Sequence, residues 1–356
     1  MKNRYLIIML AAAAAAVLLM SGASHGRHDL GELEFVRCMG FDMGDTVRVT
    51  ATVTPGESEQ EDDTEVVSGE GKSINEAVEE IKIAHEKSTF FGYVSQYVIG
   101  EETALVGVGD IMDYACRDVY SRLDTPCYIV KGAAAAELIK GANDEERSLS
   151  RRLIGLEDER GGVNLPVSID IREILSAMER TGSCLVPGLR QEGDVVALDG
   201  YGIIKDTRLI GWVEKELVPA ANMLAGEKGA LMVTVELKDG GVISANIASY
   251  KRDFHVEVDG DKVTRCLIEL DVDADLAGVM GVDNVDEQAD EIVKLIEDEL
   301  NTDAKKVLRL SGELGADFLD LAGAISLRYG EKDCGGAAVA VGVKVDLARS
   351  YEITDE

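Results

Sequence analysis

The sequence predicts an α+β protein of about three mixed domains with largely antiparallel sheets, set behind an N-terminal signal or anchor helix. Three observations carry that expectation. Alternating apolar and polar runs come in clusters and amphipathic helical runs come in others, whereas a doubly wound sheet would interleave the two. The 356 residues exceed the size, about 250–300 residues, at which single cores stop growing. The third is an uncharged run from Tyr5 to Ala23, placed directly behind Lys2 and Arg4.

That run includes the alanine tract Ala11 to Ala16 and has the n-region and h-region layout of a secretory signal. The two basic residues hold the N-terminus on the cytoplasmic side. Ser21-Gly22-Ala23 supplies the small residues of a cleavage site, so Ala23 and Ser24 are the signal-cleavage candidates. The run is also close to the ~20 residues a helix needs to span a bilayer. Retention as an uncut anchor is the favoured outcome, and release after Ala23 stays open. A cysteine behind Met20-Ser21-Gly22 would make a lipoprotein signal, but Ala23 stands there and the first cysteine is Cys38.

Past the N-terminal segment, Val47, Val49, Ala51 and Val53 alternate with polar residues as a half-buried strand stopped by Pro55-Gly56. The acidic Glu57 to Thr64 follows as an exposed loop. Ser73-Ile74-Asn75-Glu76 is a capping box, and Ile74, Ala77, Val78, Ile81 and Ala84 then form one apolar helical stripe. Tyr97 to Ile99 reads as a short buried strand. Asp110 opens a helix carrying Ile111, Tyr114, Ala115, Val119 and Leu123. Tyr128 to Val130 is a strand, and Ala133 to Ile139 a helix. Gly141 to Gly162, rich in charge, Gly and Ser, is the linker candidate, and its charged part Asn143 to Arg160 is the expected site of first proteolysis.

In the second half, Val233, Val235 and Leu237 alternate up to a turn at Asp239-Gly240-Gly241, and Val242 to Ala245 returns. Phe254 to Val258 and Cys266 to Val272 flank the turn Asp259-Gly260-Asp261. Val285 to Leu300 is an acidic amphipathic helix, a second helical pattern runs from about Ala304 to Leu327, and Val339 to Leu347 is a closing strand. The expected division is 1–23 as signal or anchor, 27–142 as an N-terminal α+β domain, 163–225 as a middle domain and 226–356 as a C-terminal α+β domain. A lobe boundary is expected near Leu217 to Gly229.

Composition narrows the function. Asp and Glu number 67 against 36 Lys and Arg, a net charge of −31. Such a chain repels phosphate backbones, which argues against nucleic acid as a partner. It also disfavours lying flat on anionic lipid, leaving the N-terminal segment as the membrane contact. Six cysteines permit fifteen full pairings, but in a chain this large without C-x-x-C they read as small buried thiols.

Several fragments look like chemistry and fail. Gly71-Lys72-Ser73 ends like a phosphate loop, but Val66 occupies the first glycine position. Asp271, Asp273 and Asp275 open like a calcium loop, but Leu276 replaces its glycine and Val282 its glutamate. Gly107-Val108-Gly109 lacks the third glycine of a dinucleotide site, with Met112 there instead. The four histidines form no zinc or Cys/His motif. No catalytic, cofactor or metal residues are assigned, and the reading is non-enzymatic.

Seven fragments in order resemble the Ger(x)C family, the C subunits of nutrient germinant receptors in spore-forming bacteria. Leu33-Glu34-Phe35-Val36 with Gly40-Phe41-Asp42 is similar to the family's opening strand and G-I-D segment. Gly71 to Ala77 is similar to its G-x-S-I-x-E-A helix start, and Tyr97 to Ala104 to its I-x-G-E-x-x-A segment. Ile111 to Arg117 and Tyr128 to Gly132 keep the same order. Gly202 to Trp212 is similar to its A-V-F-K-x-D-K-L-V-G-W hairpin and holds the single tryptophan; Ala316 to Leu321 resembles A-D-I-F-G-F, ahead of the last strand.

The resemblance implies a non-enzymatic ectodomain on the outer face of the spore inner membrane, assembled with two integral membrane partners, the A and B subunits. The lipid-bearing cysteine usual in the family is replaced by Ala23. Trp212 is either a core anchor or an interface residue. The competing readings are a generic exported solute-binding or cell-envelope protein and a hydrolase with dispersed carboxylates.

Overall fold

The structure is a computed structural model that describes residues 33–55, 64–84, 88–142, 148–158, 163–193, 195–282 and 284–348. The Tyr5–Ala23 run, the Ala23/Ser24 candidate and the Glu57–Asp63 part of the acidic loop lie outside the described residues. No helix among the described residues is long and apolar enough to cross a membrane.

Two sheets organise the chain. The larger has nine strands in the order β3-β2-β1-β5-β6-β7-β8-β9, with β4 beside β1. They are β1 (Leu33–Met43), β2 (Val47–Pro55), β3 (Glu65–Gly71), β4 (Ser88–Phe90), β5 (Gln96–Ile99), β6 (Cys127–Val130), β7 (Ser183–Glu192), β8 (Val195–Lys205) and β9 (Arg208–Val213). The smaller sheet runs β10 (Leu231–Glu236), β11 (Val242–Asp259), β12 (Lys262–Met280) and β13 (Ala338–Ala348). Long antiparallel ladders dominate both, as the α+β expectation requires. The centre of the larger sheet differs, because β1, β5, β6 and β7 pair in short parallel registers.

Parallel pairing needs crossovers. Helices α2 (Glu101–Val106) and α3 (Gly109–Arg117) join β5 to β6. Helices α4 (Ala135–Ala142), α5 (Leu149–Asp158) and α6 (Ile171–Thr181) join β6 to β7. Helix α1 (Ile74–Ala84) lies earlier and buries Ile74, Ala77, Val78 and Ile81, the stripe its spacing predicts. Ser73 Oγ accepts from Glu76 N at 3.2 Å, while Glu76 Oε2 reaches Lys72 N instead of Ser73 N. Gly69 admits this helix, since a Cβ there would lie 2.1 Å from the Ala77 carbonyl oxygen.

The central strands alternate between two faces. Val36, Met39, Tyr97, Ile99 and Ile129 face the core under α1, α3 and α6; Cys38, Val98, Tyr128 and Val130 face the core under α4 and α5. The C-terminal sheet packs on α8 (Ala289–Leu314), α9 (Leu321–Tyr329) and α7 (Val218–Ala225), in a core that also takes Tyr201, Ile203 and Val213 from β8 and β9.

Four expectations are corrected. Strand β2 is buried on both faces, Thr50 and Thr52 included, because it is covered from both sides. Thr52 Oγ1 accepts from the N–H of its ladder partner Cys38, beside the bulge between Val36 and Cys38. The helix from Asp110 stops at Arg117, short of Val119 and Leu123, where the Asp118 carboxylate accepts from the Tyr120 and Ser121 amides. The linker candidate contains α5, whose Leu149 and Leu153 are fully buried and whose Ser150 bonds the buried Gln96 at 2.8 Å. Finally, the last two helical runs divide at Gly315, not between Leu300 and Ala304. Asn301-Thr302-Asp303 holds no breaker, whereas Gly315 adopts a left-handed φ of 57°.

Candidate functional site

The family-like fragments converge at the C-terminal ends of the parallel strands. Asp42, near the end of β1, accepts from Ala135 N and Ala136 N at 2.8 Å each and so caps α4. A carboxylate there satisfies free amides and opposes the positive helix end. Gly40 and Gly100 leave the necessary space. A Cβ on Gly40 would lie 2.5 Å from Ile139 Cδ1, and one on Gly100 2.2 Å from Asp42 Oδ1.

Glu101 opens α2 and joins two further fragments. Its Oε2 accepts from Gly132 N at 2.8 Å, and its Oε1 accepts from Trp212 Nε1 at 3.0 Å. The Lys131 ammonium sits 5.2 Å from the centroid of the Trp212 ring. It also lies 2.7 Å from Glu214 Oε2 and 3.5 Å from Asp199 Oδ2, and Arg190 reaches the same Asp199 oxygen at 2.7 Å. Trp212 is half-buried, its ring above Gly188 and Gly202, where a Cβ would come within 2.8 Å and 3.5 Å of it. Charged groups here pair with one another, so the rim braces the sheet and offers no free base or nucleophile.

A cleft of about 1010 Å³ opens elsewhere, between α6, the start of β7, the segment after α7 and residues 318–320. Its floor is a buried chain of hydrogen bonds. Val167 N donates to Tyr201 Oη, which donates to Asn222 Oδ1, each at 2.6 Å, and Asn222 Nδ2 donates to Leu165 O at 3.1 Å. Ser183 Oγ is buried and makes no hydrogen bond. Burial, with Glu173 nearby, pushes the Glu227 carboxyl above its ordinary range against the opposing pull of Arg252. Arg180 and Asp320 pair at 2.9 Å across the rim of the cleft.

The weaker fragments resolve into structure. Asp271, Asp273 and Asp275 lie on the exposed face of β12. Gly107 to Gly109 links α2 to α3, and Val108 N docks on the Thr207 carbonyl of the β8–β9 turn. Among the described residues no group of three or more His, Cys, Asp or Glu is placed to hold a metal ion. All six cysteines are unpaired; burial pushes the Cys38 and Cys184 thiols up to about 12. Sequence reasoning pointed to Trp212 but missed Lys131, Asp199 and Glu214. Their signal, single charges beside buried strands, has no local pattern.

Two family models match in tandem. The spore germination protein N-terminal domain covers residues 26–191, and the spore germination B3/GerAC-like C-terminal region covers residues 199–347. The crystal structure of the GerBC protein shares the fold at a TM-score of 0.57 and 14% identity, over 87% of this chain and 97% of that one. No curated protein sequence matches. Fold and sequence thus define a multidomain spore germination protein. The chain belongs to the Ger(x)C family, the C subunits of germinant receptors, and its role lies in spore germination.

Proposed function

We propose that this chain is the non-enzymatic C subunit of a nutrient germinant receptor, held at the extracytoplasmic face of the spore inner membrane by Tyr5 to Ala23. Its partners in this reading are the two integral membrane A and B subunits. The observation that carries it is the tandem match of both family regions across one fold, with the family-like fragments meeting around Asp42, Glu101 and Trp212. Within the complex we assign Trp212 to bracing the rim. Its indole N–H is taken by Glu101 and its face by Lys131, which leaves little of it for a partner. A lobe boundary near 217–229 is proposed with it.

Deletion of the gene, followed by exposure of spores to single nutrients, tests the function. The expected result is loss of the response to at least one nutrient. Unchanged germination with every nutrient, in a strain without a paralogue, overturns it. N-terminal sequencing of the mature protein tests the attachment: a start at Ser24 excludes the helical anchor.

A further inference from the structure

The rim opposite Trp212, at the N-terminal ends of the same parallel strands, is built from aromatic rings. Phe35 on β1 meets Phe90 of β4 edge-on at 6.2 Å and Tyr93 at 5.2 Å. Phe90 in turn meets Tyr93 at 5.6 Å and Tyr120 at 5.7 Å. Gly92 makes room for this, since a Cβ there would lie 2.5 Å from the Phe90 ring. The cluster is not closed over. Tyr93 and Tyr120 are each 52% exposed, and beside Tyr120 stand Val119 at 87% and Leu123 at 41%. A contiguous apolar surface of this kind on a folded chain marks a contact with something else.

Two observations identify that contact. First, β1 starts two residues before Phe35, and only Ser24 to Glu32 separates it from the end of the apolar run at Ala23. Fully extended, at about 3.3–3.6 Å per residue, that connection reaches roughly 30 Å. With Tyr5 to Ala23 inserted, the start of β1 and the rim beside it lie within roughly 30 Å of the bilayer. Second, the charges of this rim are locally balanced on a chain of net charge −31. Arg122 pairs with Asp124 at 2.7 Å, the Asp118 carboxylate is taken by backbone amides, and the Arg37 guanidinium lies 5.7 Å from the centroid of the Phe35 ring. At this end Asp118 and Asp124 are thus each engaged, one by backbone amides and one by an arginine.

We propose that this rim rests end-on in the headgroup layer of the bilayer. Tyr93, Tyr120, Val119 and Leu123 enter the interface, and Arg37 and Arg122 face the lipid phosphates. Tyrosine suits that depth because its ring is apolar and its hydroxyl stays wet. The inference rests on the reading in which Tyr5 to Ala23 is retained.

The test uses the full chain reconstituted into vesicles of phosphatidylglycerol and phosphatidylethanolamine with brominated acyl chains. Tryptophan is placed at Tyr93→Trp, at Tyr120→Trp or, as a remote control, at the exposed Leu327→Trp, and the emission of the parent Trp212 is subtracted. The expected result is quenching and a blue shift for positions 93 and 120, and neither for position 327. A chain that floats with the vesicles yet shows no quenching at 93 or 120 overturns the inference and leaves the anchor reading standing. A chain that does not float overturns both. Shielding of Tyr93 and Tyr120 only when the two membrane subunits are co-reconstituted, without lipid quenching, assigns the rim to a protein partner and overturns the inference.

Discussion

The two ends of the parallel strands in the larger sheet are used in opposite ways. At their C-terminal ends Asp42 and Glu101 take up backbone amides and Trp212 closes the gap; at their N-terminal ends Phe35, Phe90, Tyr93 and Tyr120 are left half open. The crossover helices explain the first. Each returns antiparallel to its strands, so α2 and α4 present free N–H groups where β1, β5 and β6 end, and carboxylates belong there. At the other end Asp118 takes up the Tyr120 and Ser121 amides and Asp170 caps α6, but neither carboxylate bridges the strands. Rings fill that end, with Tyr93 and Tyr120 half exposed among the described residues.

Mutations at the two ends should separate accordingly. Trp212→Ala is the largest expected effect, a loss of about 3 kcal/mol in urea unfolding, because a large side chain leaves a partly buried site. It also removes the donor to Glu101 Oε1 and the ring that faces Lys131. A loss under about 0.5 kcal/mol, the range of ordinary surface changes, would remove the brace from the comparison. Asp42→Ala comes next, at about 1–2 kcal/mol, since two amides at the start of α4 lose their acceptor. Asp42→Asn should lie between it and the parent in thermal melts. Tyr93→Ser and Tyr120→Ser should each cost at most about 1 kcal/mol, the value of an aromatic pair, with flotation unchanged because Tyr5 to Ala23 still holds the chain in the proposed reading. A stability loss matching that of Trp212→Ala would make the open rim a core after all.

The smallest effect calibrates both ends from the cleft between them and the C-terminal lobe. Burial raises the Glu227 carboxyl in the folded state, so the protonated form favours folding. That contribution is complete below the unfolded pKa and is lost as pH rises through the folded one. Glu227→Gln is therefore expected to raise Tm at pH 7 and to leave it unchanged at pH 3. The opposite sign at pH 7 would mean that Arg252 outweighs burial.

The elements legible in the sequence were those whose cause is local. Ser73 with Glu76 announced α1, and Asp239-Gly240-Gly241 announced its hairpin, because capping and turn chemistry act over a few residues. The fold class followed from clustering. What the sequence did not disclose depends on distant partners. Val119 and Leu123 sit at helical spacing, yet Asp118 turns the chain outward and they become part of the aromatic rim. Gly141 to Gly162 looks like a linker until Leu149 and Leu153 join Tyr128 and Val98 in one core. Glu101 and Trp212 are 111 residues apart, and no periodicity joins them. Trp212 drew notice as the single tryptophan and the end of the family-like hairpin, not as the partner of Glu101.

The meeting point of the two family regions has a bearing on how the chain folds. Residues 26–191 and 199–347 divide within the β7–β8 hairpin, where Glu192 pairs with Val195. A ribosome that has released only the first region has released Lys131 and Glu101 without Asp199, Glu214 or Trp212. The first region would then carry a bare β7 edge and a lysine lacking its counter-charges, a state open to mispairing. Completion of the N-terminal sheet thus waits on the opening strands of the C-terminal region. Gene fusions that exchange halves of such subunits should therefore be cut beyond Val213, where β9 has already closed the sheet.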